Sequence, residues 1–244
     1  MLDTIPFEII VEIFNLLPLK ELINCELVCK YFKLIIRSVQ WHHTINCLKN
    51  DVMIEFVTKN YKFTRYDVSF REFITDHSVK LLKNCHTLNF SGCEKITDDS
   101  VKLLGNCHTI RFSFCNKITD ESVQFLGKCH TLDLSYRAIT DKSVKLLGNC
   151  HSLSLDYCKN ITDDSVKMLG NCHTLNLGSC HKITDDSVKM LGNCHTLNLT
   201  YCYKITDDSV KMLGNCHTLF LYGCNISSKI LNKLMETNVK VYNG

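Results

Sequence analysis

Apolar and polar positions recur along most of this chain with a fixed step. The unit reads Cys-x-x-Leu-x-Leu-x-x-Cys-x-x-Ile-Thr-Asp-x-Ser-Val-x-x-Leu, and it stands almost verbatim over Thr162–Leu177, Thr184–Leu199 and Thr206–Leu221. Its Cys-His pair begins at Cys85, Cys107, Cys129, Cys150, Cys172, Cys194 and Cys216, so the step is 22 residues and once 21. A step in this range marks a solenoid, in which each unit buries its apolar face only by stacking on its neighbours. Within a unit, Leu175 and Leu177 lie two apart and share one face of a short strand. Thr184-Asp185-Asp186 then starts a helix, because the hydroxyl can cap it and the acids sit at the positive end of its dipole. Val188 and Leu191 turn one face inward, and Gly192-Asn193 suits a left-handed end after about two turns of helix. The expected coil is therefore α/β, with parallel strands on a concave wall and short helices on the convex side. A leading unit (Phe63, Tyr66, Val68, Arg71, Ile74), seven clear units and a terminal strand at Val239–Val241 predict about nine strands, ~38 Å of wall.

Before residue 62 the period changes. Ile5–Leu17 reads as a helix that Pro6 opens and Pro18 stops. It carries two apolar stripes, Ile9-Ile13-Leu16 and Ile10-Phe14-Leu17, so it should be covered on two sides. Glu21–Val28 and Tyr31–Ile36 predict two more short helices, closing at Trp41. We divide the chain into a helical domain (1–43), a connector with a short helix over Asp51–Thr58 (44–61) and the solenoid (62–244). The connector holds little Gly, Ser or Pro, which argues for a fixed orientation between the two modules. About forty residues is near the limit for folding alone. These helices also carry more Ile and Leu than their own core could use. One face should meet the solenoid, either as a simple end cap or with the other face kept for a second protein.

Composition narrows the classes. With 244 residues, a net charge of +3 and lysines spread singly, no basic stripe suggests nucleic acid. The first residues carry Glu8 and Glu12 and lack a basic leader, which argues against a secretory signal, and no run of ~18 apolar residues predicts a membrane span. Of the sixteen cysteines, seven precede the histidines above and six more follow the strands, at Cys93, Cys115, Cys158, Cys180, Cys202 and Cys224. Columns of this kind, with no Cys-x-x-Cys, read as reduced, buried, small apolar side chains of a cytosolic or nuclear protein, not as disulfides or metal ligands. The histidine column (His86, His108, His130, His151, His173, His195, His217) offers no pocket for acid–base work, and it reads as polar strand-edge residues. No phosphate loop, nucleophile elbow or zinc-protease motif occurs, so we expect no enzyme, no cofactor and no metal.

The N-terminal residues Ile5-Pro6-x-Glu8-Ile9-Ile10, Ile13-Phe14, Leu16-Leu17-Pro18, Glu21-Leu22, Val28-Cys29-Lys30-x-Phe32, Ile35 and Trp41 resemble the F-box over residues 4 to about 42. Departures are Ile5 for Leu, Glu21 for Asp, Lys30 for Arg, Phe32 for Trp and Gln40 before Trp41. The resemblance implies docking to a Skp1-like adaptor and through it to a cullin-RING ligase. Pro6, Ile9, Ile13, Leu16, Pro18 and Leu22 would touch the adaptor, while Val28, Phe32 and Trp41 hold the helices together or extend the contact. The repeat resembles the cysteine-containing leucine-rich repeat, a common companion of the F-box. Here cysteine replaces the first leucine and the unit is shorter than the usual ~26 residues. Together these imply a non-catalytic substrate-recognition subunit of an SCF-type ubiquitin ligase. The alternatives are a plain leucine-rich-repeat interaction module and a competitor that occupies the adaptor without delivering a substrate.

Comparing the repeats with one another locates the expected substrate surface. The convex block is nearly constant, whereas the outward strand positions differ from unit to unit. Aromatic side chains gather there, and these are typical interface anchors. We expect a protein substrate on units three to five, with Arg111, Phe114, Asp133, Tyr136, Asp156, Tyr157, Tyr201, Phe220 and Tyr222 in contact with it. Unit 131–149 also lacks one residue and its second Cys, which should disturb the rim there.

Overall fold

A computed structural model describes residues 5–237 and 239–243. The reading of Met1–Thr4 as part of a leaderless start, and Thr4 as the first residue of the F-box pattern, lie outside the described residues.

The first three helices are α1 (Phe7–Asn15), α2 (Leu19–Cys25) and α3 (Lys30–Ser38). Pro6 and Pro18 stand at the N-caps of α1 and α2, so each proline opens a helix where its missing N–H costs nothing. At α3 the cap is Cys29, whose Sγ accepts from the Phe32 amide. The two stripes of α1 separate, and the described chain covers only the second, where cover on two sides was expected. Ile10 and Phe14 are buried, and Phe14 meets Phe32 edge to face at 5.1 Å, while Ile9, Ile13 and Leu16 face outward. A bridge of 3.0 Å from Arg37 to Glu26 ties α3 to the end of α2.

Trp41 does more than close the helices. It belongs to β1 (Gln40–Ile45), a strand not foreseen from the sequence, and its indole Nε1 donates to the Ile36 carbonyl at 2.8 Å. β1 pairs in parallel with β2 (Lys62–Asp67), so the helical domain ends inside the same sheet that the repeats build. The strand crosses the boundary expected at residue 43, and α4 (Asp51–Asn60) packs as the first convex helix behind it. Among the described residues the sheet therefore has ten parallel strands in sequence order rather than nine. β3 (Thr87–Asn89), β4 (Thr109–Arg111), β5 (Thr131–Asp133), β6 (Ser152–Ser154), β7 (Thr174–Asn176), β8 (Thr196–Asn198), β9 (Thr218–Phe220) and β10 (Lys240–Tyr242) follow in constant register.

Behind the strands lie α5 (Asp76–Leu81), α6 (Asp98–Val101), α7 (Asp120–Val123), α8 (Asp141–Val144), α9 (Asp163–Val166), α10 (Asp185–Val188), α11 (Asp207–Val210) and α12 (Ser228–Glu236). From α7 to α11 each helix is a single turn of four residues, not the two expected, whereas α6 continues into a 3-10 turn over Lys102–Leu104. A short coil has room only for Thr-Asp-Asp-Ser-Val before it must return to the next strand. Repeated Leu, Ile, Val and Cys columns fill the interior as one continuous core. Burying each such side chain contributes ~1.5–3 kcal/mol against the entropy of ordering it.

Three ladders of polar detail lock successive coils. The first Asp of each convex turn accepts bonds from the next coil. Asp141, for example, takes the Thr162 amide at 2.9 Å, the Thr162 hydroxyl at 2.7 Å and the Ser165 hydroxyl at 2.5 Å. The ladder begins at Asp51, which receives Thr75 and Ser78, and ends at Asp207, which receives Ser227. The cysteines after the strands form a second ladder, donating to a carbonyl one coil back, as from Cys115 to Phe90 at 2.9 Å and from Cys180 to Leu155 at 3.2 Å. In unit 131–149 Arg137 takes the missing cysteine's place. It is buried and donates through Nη2 to the Phe112 carbonyl at 2.5 Å, leaving Nε and Nη1 without partners. The glycines that follow the buried convex leucines form the third. Their backbone is not left-handed, contrary to expectation. A Cβ at Gly127 would meet the Leu146 carbonyl oxygen at 2.5 Å, and one at Gly105 the Phe125 oxygen at 2.7 Å, so glycine lets successive coils approach.

Candidate binding surfaces

The N-terminal helices leave a broad apolar surface uncovered. Ile9, Ile13 and Leu16 of the first stripe are exposed, Leu16 by 83%. Pro6 and Pro18 are also exposed, whereas Leu22 is fully enclosed by the chain's own core and cannot touch a partner. Phe32 is half-buried and Trp41 fully buried, so both hold the helices together, while Val28 is open. Sequence reasoning missed Leu27 (85% exposed) and Leu34, which extend the surface. Val28, Tyr31 and Leu34, spaced by three on the α2–α3 side, were the signal for it. Beside this surface, Leu19, Ile23, Leu48, Val52, Met53 and Phe56 wall an apolar groove of about 480 Å³ between α2 and α4.

The concave wall is built from Thr, Asn, Asp and Ser side chains that alternate with the buried leucines. Part of this polarity serves the wall itself. Asn89, Asn176, Asn198 and Asp133 each accept from the backbone amide two residues on, at 3.1, 3.0, 2.9 and 3.0 Å, which ends the strand in an Asx turn. Asp133 also receives the hydroxyls of Ser113 and Ser135 at 2.8 and 2.6 Å. Arg111 and Phe220 occupy the same column without that duty, and Arg111 is exposed. Asn89, Ser91, Arg111, Ser113, Asp133 and Ser154 line an open groove of about 450 Å³ over β3 to β6.

The expected aromatic residues sit just past the strands, at a turn whose backbone is left-handed. Phe114, Tyr136, Tyr157 and Tyr201 have φ of 57–62°, while Gly92 and Gly223 hold the equivalent places in their coils. Phe114 stacks on Tyr136 at 4.2 Å, and Tyr157 leans on Tyr136 at 5.1 Å. Tyr201 meets Tyr222 edge to face at 5.2 Å, and Phe220 stacks on Tyr242 at 4.7 Å. Ser179 interrupts the row, so the nine residues form two clusters, Arg111–Tyr157 and Tyr201–Tyr222. In the first, partial burial and the nearby Asp133 carboxylate push Asp156 above the usual carboxylate range, against the pull of the Tyr136 hydroxyl. Gly178 leaves space for that carboxylate, since a Cβ there would lie 2.6 Å from Asp156 Oδ1. The Lys159 ammonium rests over the Tyr157 ring at 4.1 Å.

At the opposite end of the strands the seven histidines stack face to face, with centroids 4.4 Å apart at His86–His108 and 4.5 Å at His195–His217. Desolvation and the neighbouring imidazoles hold His108, His130 and His173 below the ordinary histidine value. Among the described residues no three His, Cys, Asp or Glu side chains are placed to share a metal ion, and no helix is long and apolar enough to cross a membrane.

Comparison with known proteins agrees with this architecture. A family model described as F-box-like matches residues 2–46, and one described as Leucine Rich repeat matches residues 173–192. No curated protein matches the sequence. Among solved structures, a chain in the crystal structure of the Rad7 and Elc1 complex of yeast is similar at a TM-score of 0.65 and 18% identity. The match covers 82% of this chain and 61% of that one, so the present chain spans about three fifths of it. An internalin, InlF, of Listeria monocytogenes is similar at a TM-score of 0.59 and 16% identity, over 87% of this chain and 69% of that one. At these identities the likeness is one of fold.

Proposed function

We propose that this chain, an F-box-like domain running into a leucine-rich-repeat solenoid, is a substrate-recognition subunit of an SCF-type ubiquitin ligase. The observation that carries the reading is the exposure of Ile9, Ile13, Leu16, Leu27 and Leu34, which the ten strands and nine convex-side helices of the described residues leave uncovered. Large apolar side chains left exposed together on one helical domain are costly in water and are the usual mark of a protein partner. The partner proposed is a Skp1-like adaptor. The likeness in fold to a chain crystallised in the Rad7 and Elc1 complex supports it as far as a shared architecture can.

The concave wall would hold the substrate protein. Placing a non-glycine residue in left-handed backbone costs ~1 kcal/mol or more. Glycine stands there in two coils, yet aromatic rings are kept at Phe114, Tyr136, Tyr157 and Tyr201. Exposed aromatic anchors beside Arg111 and Asp156 fit a protein interface. In this role the chain binds and orients, other subunits perform the chemistry, and the complex works in the cytoplasm or nucleus.

Capture on a purified Skp1-type adaptor tests the reading. Ile9→Asp with Ile13→Asp should abolish capture while circular dichroism stays unchanged, because both side chains are solvent-facing. Undiminished capture by this variant, or none by the parent protein, would remove the ligase role. Ubiquitin transfer to a bound protein in a reconstituted ligase separates a receptor from a competitor for the adaptor.

A further inference from the structure

The convex face carries one exposed apolar side chain per coil that nothing in the fold requires. Leu81, Leu103, Phe125, Leu146, Met168, Met190 and Met212 occupy the same place between the convex Lys or Gln and the buried Leu, and they are 37–59% exposed. Their buried neighbours Leu82, Leu104, Leu126, Leu147, Leu169, Leu191 and Leu213 already fill the interior, at no more than 1% exposure each. Over three coils the stripe is continuous, since Leu103, Phe125 and Leu146 line one groove of the convex surface. Scattered exposed leucines are ordinary on a soluble protein; seven in register along one face are not.

The flanking charges indicate what covers it. In four coils the lysine beside the stripe is paired with an aspartate three residues earlier, at 3.4 Å for Asp99–Lys102 and 2.9 Å for Asp208–Lys211. Over those four coils the border of the stripe is thus locally neutral, while His77 precedes Lys80, Glu121 precedes Gln124 and Lys142 precedes Lys145 in the other three, so no single charge sign marks a basic or acidic partner. Its period is the coil spacing of a solenoid, which the turns of a single helix do not match over seven coils. A surface with the same period, neutrality and length is a second copy of this one. A two-fold axis would bring the stripes together as a self-complementary interface. Specific interfaces need roughly 800 Å² per partner, and seven half-exposed large side chains with the Lys, Gln and Asn stems beside them offer surface of that order. We propose that two copies of the chain associate back to back through this convex stripe, leaving both concave walls and both N-terminal hooks free.

Sedimentation or light-scattering mass over a concentration series tests this on the full chain. The parent protein should reach twice the chain mass. Met168→Glu, Met190→Glu and Met212→Glu together should weaken association at least about hundredfold, as loss of three of the seven anchors does, with circular dichroism unchanged. Leu16→Asp with Leu27→Asp should leave association intact, which distinguishes the stripe from the apolar hook. A second readout uses the parent protein alone: peroxide should oxidise Met168, Met190 and Met212 more slowly in concentrated than in dilute solution. A monomer at every concentration, a methionine variant that still dimerises, a hook variant that does not, or equal oxidation rates would overturn the proposal.

Discussion

Replacing Asp141 by Asn probes what holds one coil to the next. The Asp141 carboxylate accepts the Thr162 amide and the hydroxyls of Thr162 and Ser165, while Ser165 is itself buried. Asparagine keeps the shape but puts an amide donor where one acceptor oxygen stood, so at least one charge-assisted bond is lost. Such bonds are worth ~1.5–3 kcal/mol. The carboxylate is half-exposed and screened, so we expect about 1.5 kcal/mol, the lower end of that range. The pH dependence sharpens the test. Partial burial works against ionisation of Asp141, but the bonds from Ser165 and Thr162 outweigh it and hold its pKa below the ordinary 3.8. A group with a depressed folded pKa contributes fully above its unfolded value, and the contribution fades as pH falls through the folded value. Urea unfolding followed by circular dichroism should therefore show the variant less stable at pH 7 and at pH 5. The difference should begin to close below pH 3.8 and vanish once the parent carboxyl is protonated. Equal stability at pH 7, or a gap that persists unchanged in acid, would refute the ladder as a charge-assisted clamp.

Other consequences can be measured in the same way. Gly127→Ala should lower the unfolding midpoint by ~1–3 kcal/mol equivalent, because the new methyl meets the Leu146 carbonyl. Gly214→Ala, with nothing within 4 Å, should be neutral or stabilise by ~0.4–1 kcal/mol through the unfolded chain; identical effects at the two sites would discredit the close-approach account. Arg137→Cys removes a buried guanidinium with two unpartnered N–H groups and should raise the midpoint by ~1–2 kcal/mol, whereas Arg137→Ala should lower it. A thiol-titration reagent should label Cys47 first, the half-buried Cys25 and Cys29 more slowly, and all sixteen cysteines only after unfolding. Burial pushes the column thiols up, to about 11 at Cys107 and about 12 at Cys172, so rapid native labelling of those two would contradict the packing.

Much of this architecture is legible in the residues because the solenoid writes each packing position many times. Leu175, Leu177, Val188 and Leu191 declare the strand and the buried helix face, and every coil repeats them. β1 escaped because it occurs once, and because Gln40-Trp41 is claimed by the end of the F-box pattern before its alternation can register. The aspartate ladder was open to reading. The first Asp never changes from Asp76 to Asp207, while the second position holds His77, Glu121 and Lys142, so only the first carries an obligation to the next coil. The left-handed turn is also marked in the residues, by Gly92 and Gly223 sharing a column with Tyr136, but aromatic residues so seldom adopt that backbone that the column alone does not assign it. Leu22 could not be assigned from spacing alone, since it lies on a helix with apolar residues on two sides and only the packed neighbours decide which side is covered.

That β1 is the first rung of the wall has a mechanical consequence. The hook and the wall form one bracket, so in the proposed role a client gripped at a given rung would be held at a set angle and height above whatever the hook is bolted to. Inserting or deleting a coil between β2 and β4 would move the grip in steps of ~4.8 Å instead of loosening it. Reach along such a wall would be adjusted by counting rungs, as on a ratchet, and not by lengthening a leash.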